Sequence, residues 1–313
     1  MNKVYCIGEL LIDFVAEKQG NDLSKAVHFT KKAGGAPANV ACAVSKLGGN
    51  SAFIGCVGED PFGTFLLEVL TDHGVDISTA QRCATFTTLA FVSLADDGER
   101  DFVFSRGADK KLTYNPTVAE DFGGNLVHFG AATSFLGGSL EDAYSRYYKD
   151  ALEQGAFISF DPNFRGDLWK DKEKIFIEKC TPFIAHANLC KFSKEEALLL
   201  SGKDDLTEAC AYFHQLGTQI ITITLGADGT LLSTPIMNLN VPSVKVNPVD
   251  TIGAGDAFIG CLLYQIATLE DFYSILEYPS LLLQMIENAN KAGAITTTQY
   301  GAISALPEKG EVF

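Results

Sequence analysis

No stretch of this chain stays apolar for the roughly 20 residues that a bilayer-crossing helix needs. The opening Met-Asn-Lys-Val-Tyr-Cys-Ile-Gly-Glu carries no cleavable apolar segment, so a cytoplasmic protein is expected. Basic side chains are few: 24 Lys and Arg stand against 39 Asp and Glu, a net charge of −15, and they form no run. Counterion release from a phosphate backbone therefore has little to work with, and DNA, RNA and anionic membrane surfaces are not expected as partners. Among the eight cysteines (Cys6, Cys42, Cys56, Cys83, Cys180, Cys190, Cys210 and Cys261) there is no Cys-x-x-Cys pair, and no histidine is spaced to complete a zinc site. Buried free thiols in a reducing compartment are expected, with neither a His-based catalyst nor a transition-metal centre. Internal repeats and low-complexity linkers are also missing. What is present is a chain of 313 residues, 47% hydrophobic and 20% charged, the size of one large globular domain or of a large domain carrying a small accessory one.

Apolar runs of strand length recur at Val4 to Ile7, Ala52 to Val57, Leu126 to Phe129, Phe157 to Phe160, Asn188 to Phe192 and Ile220 to Leu225. Most are followed by a helical period, as with Val40, Val44 and Leu47 after Pro37, or Phe62, Phe65, Leu66, Val69 and Leu70 before Gly74. Strand alternating with helix predicts an α/β protein whose mostly parallel sheet is covered on both faces, with ligands at the carboxyl ends of its strands. One segment breaks the rhythm. Residues 88–95 and 101–104 flank Asp96-Asp97-Gly98, a strong hairpin signal. With the strand-like stretch near Val27 to Thr30 it predicts a small antiparallel sheet, read either as a lid or as a decorative hairpin.

The most informative stretch is Asp250-Thr251-Ile252-Gly253-Ala254-Gly255-Asp256-Ala257-Phe258, which opens an apolar helix. Two glycines at a helix start expose backbone N–H groups at the positive end of the helix dipole, which suits a phosphate. Asp256 in the first turn would be repelled by that phosphate unless it accepts the proton of an attacking hydroxyl. The same residues also fit a plain tight turn with Asp256 favouring the dipole, worth about 0.3–1 kcal/mol. A second Gly-rich stretch, Ala33-Gly34-Gly35-Ala36 with Asn39 beyond it, lets a ligand approach the backbone and offers a donor and an acceptor to a polyol, unless Asn39 simply faces solvent.

Residues 33–63 and 250–258 together resemble the two signatures of the ribokinase-like (PfkB) sugar kinases, and the resemblance extends over nearly the whole chain. Gly8-Glu9-Leu10-Leu11-Ile12-Asp13, Phe102 to Arg106 and Asp161-Pro162-Asn163-Phe164-Arg165 with Leu168-Trp169 are most similar to the fructokinase branch. The resemblance implies a ribokinase-like three-layer αβα sandwich, a single kinase domain over residues 1–313 with a small lid from about 14–33 and 86–108. It implies an ATP- and Mg²⁺-dependent kinase of a sugar hydroxyl, D-fructose before 2-keto-3-deoxygluconate or ribose, acting as a homodimer. Asp256 matches the family's base and Gly253, Ala254 and Gly255 its anion hole. Asp13, Gly34, Gly35, Asn39 and Arg106 match sugar contacts, and Arg165 a basic group near the phosphates. Thr224, Gly226 and Gly229 match the nucleotide turn, with Asn290 beside the adenine. Carbonyls of Asp250, Ile252, Thr296, Gln299 and Gly301 match loops that hold a monovalent cation such as K⁺.

Two departures stand out. The family's Asn-x-x-Glu appears as Ser193-Lys194-Glu195-Glu196, so Glu196 is open to two readings, a magnesium role through water or a helix capping box with Ser193. Residues 105–109 read Ser-Arg-Gly-Ala-Asp where many fructokinases carry a longer Asn/Pro-containing segment. A dinucleotide-dependent oxidoreductase is set aside because no Gly-x-Gly-x-x-Gly follows the first strand. A non-catalytic sugar-binding regulator would be expected to lose the base, and Asp256 is present.

Overall fold

Val4 and Cys6 face one hydrophobic layer while Tyr5 and Ile7 face another, the period-2 alternation of a strand covered on both sides. The computed structural model describes residues 1–17, 23–94 and 100–313. The first part of the chain forms β1 (Lys3–Ile7), β2 (Leu11–Ala16), β3 (Phe29–Gly34), α1 (Ala36–Lys46), β4 (Asn50–Ile54), β5 (Cys56–Gly58), α2 (Pro61–Asp72), β6 (Gln81–Cys83), β7 (Leu89–Leu94) and β8 (Arg100–Ser105). There follow α3 (Pro116–Ala119), β9 (Leu126–Gly130), α4 (Ser139–Glu153), β10 (Phe157–Asp161), α5 (Gly166–Trp169), α6 (Glu173–His186), β11 (Leu189–Ser193), α7 (Lys194–Ser201) and α8 (Leu206–Leu216). The last part gives β12 (Ile220–Thr224), β13 (Thr230–Thr234), β14 (Met237–Val241), α9 (Ala254–Ala267), α10 (Pro279–Thr296) and α11 (Lys309–Val312).

The eight-stranded central sheet has the order β14-β13-β12-β11-β10-β9-β1-β4. Every pair from β4 to β12 is parallel, and β13 and β14 close one edge antiparallel. One layer packs Val4, Phe53, Leu126, Phe157 and Leu189 against α1, α9 and α10. The other packs Ile7, Phe129, Phe160, Phe192 and Ile223 against α4, α6 and α8. This is the expected three-layer αβα architecture. The apolar run from Ala52 divides into β4 and β5 at Gly55, where a Cβ would collide with the Phe53 ring. The β13–β14 hairpin was not foreseen.

The small sheet is also there, in the order β3-β2-β7-β8. Its two hairpins, β2–β3 and β7–β8, are antiparallel, and they join through a parallel β2–β7 pair. The turn signal Asp96-Asp97-Gly98 lies outside the described residues. Asp60 roots this sheet to the body. Its carboxylate caps α2 by accepting from the N–H of Phe62 and Gly63, and it also accepts from the N–H and hydroxyl of Thr87, just before β7. No helix among the described residues is long and apolar enough to cross a membrane.

Candidate active site

Helix α9 is buried from Ala257 to Ala267 and crosses α1 closely, because Gly260 leaves space that a Cβ would fill at 2.5 Å from the Ala43 Cβ. That approach brings together two first-turn side chains 217 residues apart: Asn39 Nδ2 donates to Asp256 Oδ2 at 2.7 Å. Nδ2 must face Asp256, so the Asn39 Oδ1 points elsewhere and, though buried, has no partner. Burial raises the Asp256 carboxyl above its usual range, opposed by the Asn39 bond and by the charges of Lys191 and Arg165.

Gly253 caps α9 in the left-handed region at φ 79°, with Ala302 only 2.7 Å from where a Cβ would lie. A side chain there would be strained twice over. Gly255 faces the Lys191 ammonium, 3.1 Å from the position of a Cβ. Lys191 is a residue the sequence reading missed. It lies on β11, 8% exposed, and donates to Asp161 Oδ2 at 3.0 Å. Burial opposes its charge, but Asp161, Glu196 and Asp256 around it hold its pKa above the ordinary lysine value. A fixed cation thus stands beside the exposed N–H groups of the α9 start.

A cavity of about 470 Å³ opens in front of Asp256, between the small sheet and the carboxyl ends of the central strands. Asp13, Gly35, Asn39, Arg165, Glu196, Ile252, Gly253 and Gly255 line it, together with Leu11, Val92 and Phe104 from the small sheet. Glu9 lines it too and was also missed; burial pushes its carboxyl up to about 7. Asp13 is pushed up to about 7 by burial as well, against the pull of Arg165 and Lys32. Carboxyls displaced in this way gather at sites that handle protons and hydroxyls. A second cavity of about 650 Å³ lies beyond Ser193 and Glu195, which line both, and is bordered by Lys194, Thr224, Leu225, Gly226 and Asp228.

The remaining candidate residues divide. Gly34 sits behind the wall: a Cβ there would run into the Asp13 carboxylate, so this glycine seats Asp13. Arg106 does not line the cavity. Its Nε and Nη2 donate to the fully buried Asp109 at 2.9 and 2.8 Å, an ion pair three residues along the chain that uses the guanidinium structurally. Asn290 is also turned inward, its Oδ1 accepting from Thr230 Oγ1 at 2.6 Å and its Nδ2 donating to the Val241 carbonyl at 3.0 Å. Gly229 shapes the turn into β13, where a Cβ would strike the Val241 carbonyl. The two loops expected to hold a monovalent cation do meet: Asp250 accepts from the N–H of Ile252 and of Gly301, each at 3.0 Å, and donates its own N–H to the Thr297 carbonyl. Thr296 is buried at the end of α10, and Gln299 is exposed in the loop that follows.

The family model for pfkB family carbohydrate kinases matches residues 1–309. The chain belongs to that family. Fructokinase-1 of Zea mays is 40% identical over 316 residues, covering 99% of this chain and 96% of the relative. A fructokinase from Xylella fastidiosa with bound ATP superposes with a TM-score of 0.86 at 31% identity, covering 99% of this chain and 96% of that one. A fructokinase double mutant from Vibrio cholerae O395, in fructose, ADP and potassium ion bound form, gives 0.87 at 30% identity, covering 100% and 97%.

Proposed function

We propose that this pfkB kinase transfers the γ-phosphoryl group of ATP to a hydroxyl of D-fructose, giving fructose 6-phosphate and ADP. The observation that carries the reading is Asp256 at the Gly253-Ala254-Gly255 helix start, facing the acceptor cavity beside the fixed Lys191 cation. The fructokinase names of its relatives support fructose, and the ATP, ADP and fructose in the two related structures support the pair of substrates.

Fructose binds with its hydroxyls on Asp13, Asn39 and the Gly35 backbone, and Asn39 Oδ1 takes one of them as its missing donor. The attacking hydroxyl oxygen forms a bond to the γ-phosphorus while the bond to the β-phosphate oxygen breaks, and the proton passes to the Asp256 carboxylate. In a loose transition state that proton leaves late, so a carboxylate held in place suffices. The N–H groups at the α9 start, with Lys191 and Arg165, stabilise charge on the group in transit. ATP occupies the cavity of Thr224 and Gly226. No cluster of three or more His, Cys, Asp or Glu able to hold a metal occurs among the described residues, and both Glu196 oxygens already accept backbone N–H groups. These residues fit a magnesium that arrives on the nucleotide phosphates, where it would neutralise their charge, with Glu195 the acidic side chain shared by both cavities. The Asp250 and Gly301 loops would hold K⁺ through carbonyls. The small sheet is read as the lid of one kinase domain and as the surface by which two cytoplasmic copies pair.

A coupled ADP-release assay over fructose, 2-keto-3-deoxygluconate, ribose and nucleosides tests the assignment. Fructose should give the highest kcat/KM, because an acceptor without matching hydroxyls leaves Asp13 and Asn39 unpaired. Preference for another acceptor would overturn fructose, and no ADP release with any would overturn the kinase.

A further inference from the structure

Glu196 closes the capping box of α7: its Oε2 accepts the Ser193 N–H at 2.7 Å while Ser193 Oγ accepts the Glu196 N–H at 3.1 Å. The same carboxylate does something no helix cap requires. Its Oε1 accepts the N–H of Phe164, also at 2.7 Å, from a loop 32 residues earlier in the chain. That loop follows β10 and presents Asn163, Phe164 and Arg165 to the acceptor cavity. It is held in an unusual shape, since Asn163 lies at φ 47°, a region that non-glycine residues visit uncommonly. Asp161 Oδ1 fixes the loop from one side by accepting the Asn163 N–H at 3.0 Å, and Glu196 fixes it from the other. On its own side Glu196 is anchored beside Ser193, Lys194 and Glu195, which border the nucleotide cavity. One buried carboxylate therefore ties a wall of the nucleotide cavity to the loop that carries Arg165.

We infer that Glu196 is a positioning residue that sets the Arg165 loop of the sugar site from the nucleotide side, and so links sugar affinity to nucleotide binding. The inference rests on the kinase reading given above. It assigns the carboxylate to two backbone amides on opposite sides of the site in place of a metal.

The test uses Glu196→Gln and Glu196→Asp in the full chain. Glutamine keeps the length but has only one acceptor atom, so one N–H loses its partner; aspartate keeps the charge but is a methylene short of spanning both amides. Loss of a hydrogen bond to a charged group should raise the fructose KM about tenfold or more in each variant. The Mg²⁺ concentration giving half-maximal rate should not move, and the Phe164 amide should exchange faster in the ligand-free protein. A higher Mg²⁺ requirement with an unchanged fructose KM and a protected Phe164 amide would overturn the inference, as would a fall in Tm with nothing else altered. On the wild-type chain, a non-hydrolysable ATP analogue with Mg²⁺ should slow exchange at Phe164 and Arg165 without any sugar. No slowing would refute the link even if both variants failed to fold. The amide measurements need neither sugar nor turnover, so they stand if fructose proves to be the wrong acceptor.

Discussion

Replacing Asn39 by alanine should separate catalysis from stability, because the proposed function gives this side chain a task that the fold does not need. Its Oδ1 is buried without a partner, and asparagine is a poorer helix former than alanine by several tenths of a kcal/mol. Removing an unsatisfied buried acceptor returns about 1–3 kcal/mol, while losing the 2.7 Å bond to Asp256 costs about 1.5–3 kcal/mol. The terms nearly cancel, so Tm should stay close to the wild-type value. Activity should not. Burial already pushes the Asp256 carboxyl up, and the Asn39 donor is the largest of the effects holding it down. Without that donor the carboxyl rises further. Asp256 must be ionised to accept a proton, so the acidic limb of the kcat profile should move to higher pH. Below the limb, about 1.5–3 kcal/mol corresponds to a loss of roughly ten- to a hundredfold in the ionised fraction. Fructose KM should also rise, since the free acceptor has gone. A pH series of kcat and KM with a melting curve on the same variant reads all three effects. An acidic limb that stays in place would refute the reasoning, because either Asp256 is not the titrating group or Asn39 does not hold it.

Three further outcomes are expected. Lys191→Met should cost about 3–5 kcal/mol by leaving Asp161 charged and buried, and adding Asp161→Asn should restore much of the lost Tm without restoring kcat; an unchanged Tm in the single variant would contradict the ion pair. Glu9 and Asp13 bind protons more tightly folded than unfolded, so the stability they lend at low pH is lost as pH rises through about 7; Asp13→Asn should therefore lose less Tm than wild type between about pH 5 and 8, and parallel curves would count against the shift. Adding fructose should slow amide exchange in β7 and β8 if the small sheet closes over the sugar, and strands indifferent to fructose would show that it is no lid.

The parallel sheet was legible because strands buried on both faces are written as apolar runs of fixed length, each followed by a helical period. The β13–β14 hairpin was not, since Met237 to Val241 is a mostly exposed edge strand in which Asn238 and Asn240 interrupt the apolar residues. The Gly-rich helix start was legible as the opening of α9, its glycines being required by φ at Gly253 and by close neighbours. Lys191 carried a signal that went unread: a lysine inside the apolar strand Leu189-Cys190-Lys191-Phe192 must find a partner if it is buried. Its approach to Gly255 depends on tertiary packing and cannot be seen along the chain. Arg106 and Asn290 have their polar atoms on Asp109 and on Thr230 and the Val241 carbonyl, and only the folded chain shows which way such a side chain turns. The long first signature also divides, with Asn39 lining the cavity and Asp60 rooting the small sheet.

The most direct test of the whole account is kcat for Asp256→Asn with fructose and MgATP, measured beside Tm. Asparagine keeps the shape and a place in the first turn of α9 but cannot take the hydroxyl proton, so kcat should fall by at least ~10²- to 10⁴-fold while Tm and the fructose KM change little. A variant keeping more than about a tenth of wild-type kcat would contradict the assignment of Asp256 as the base.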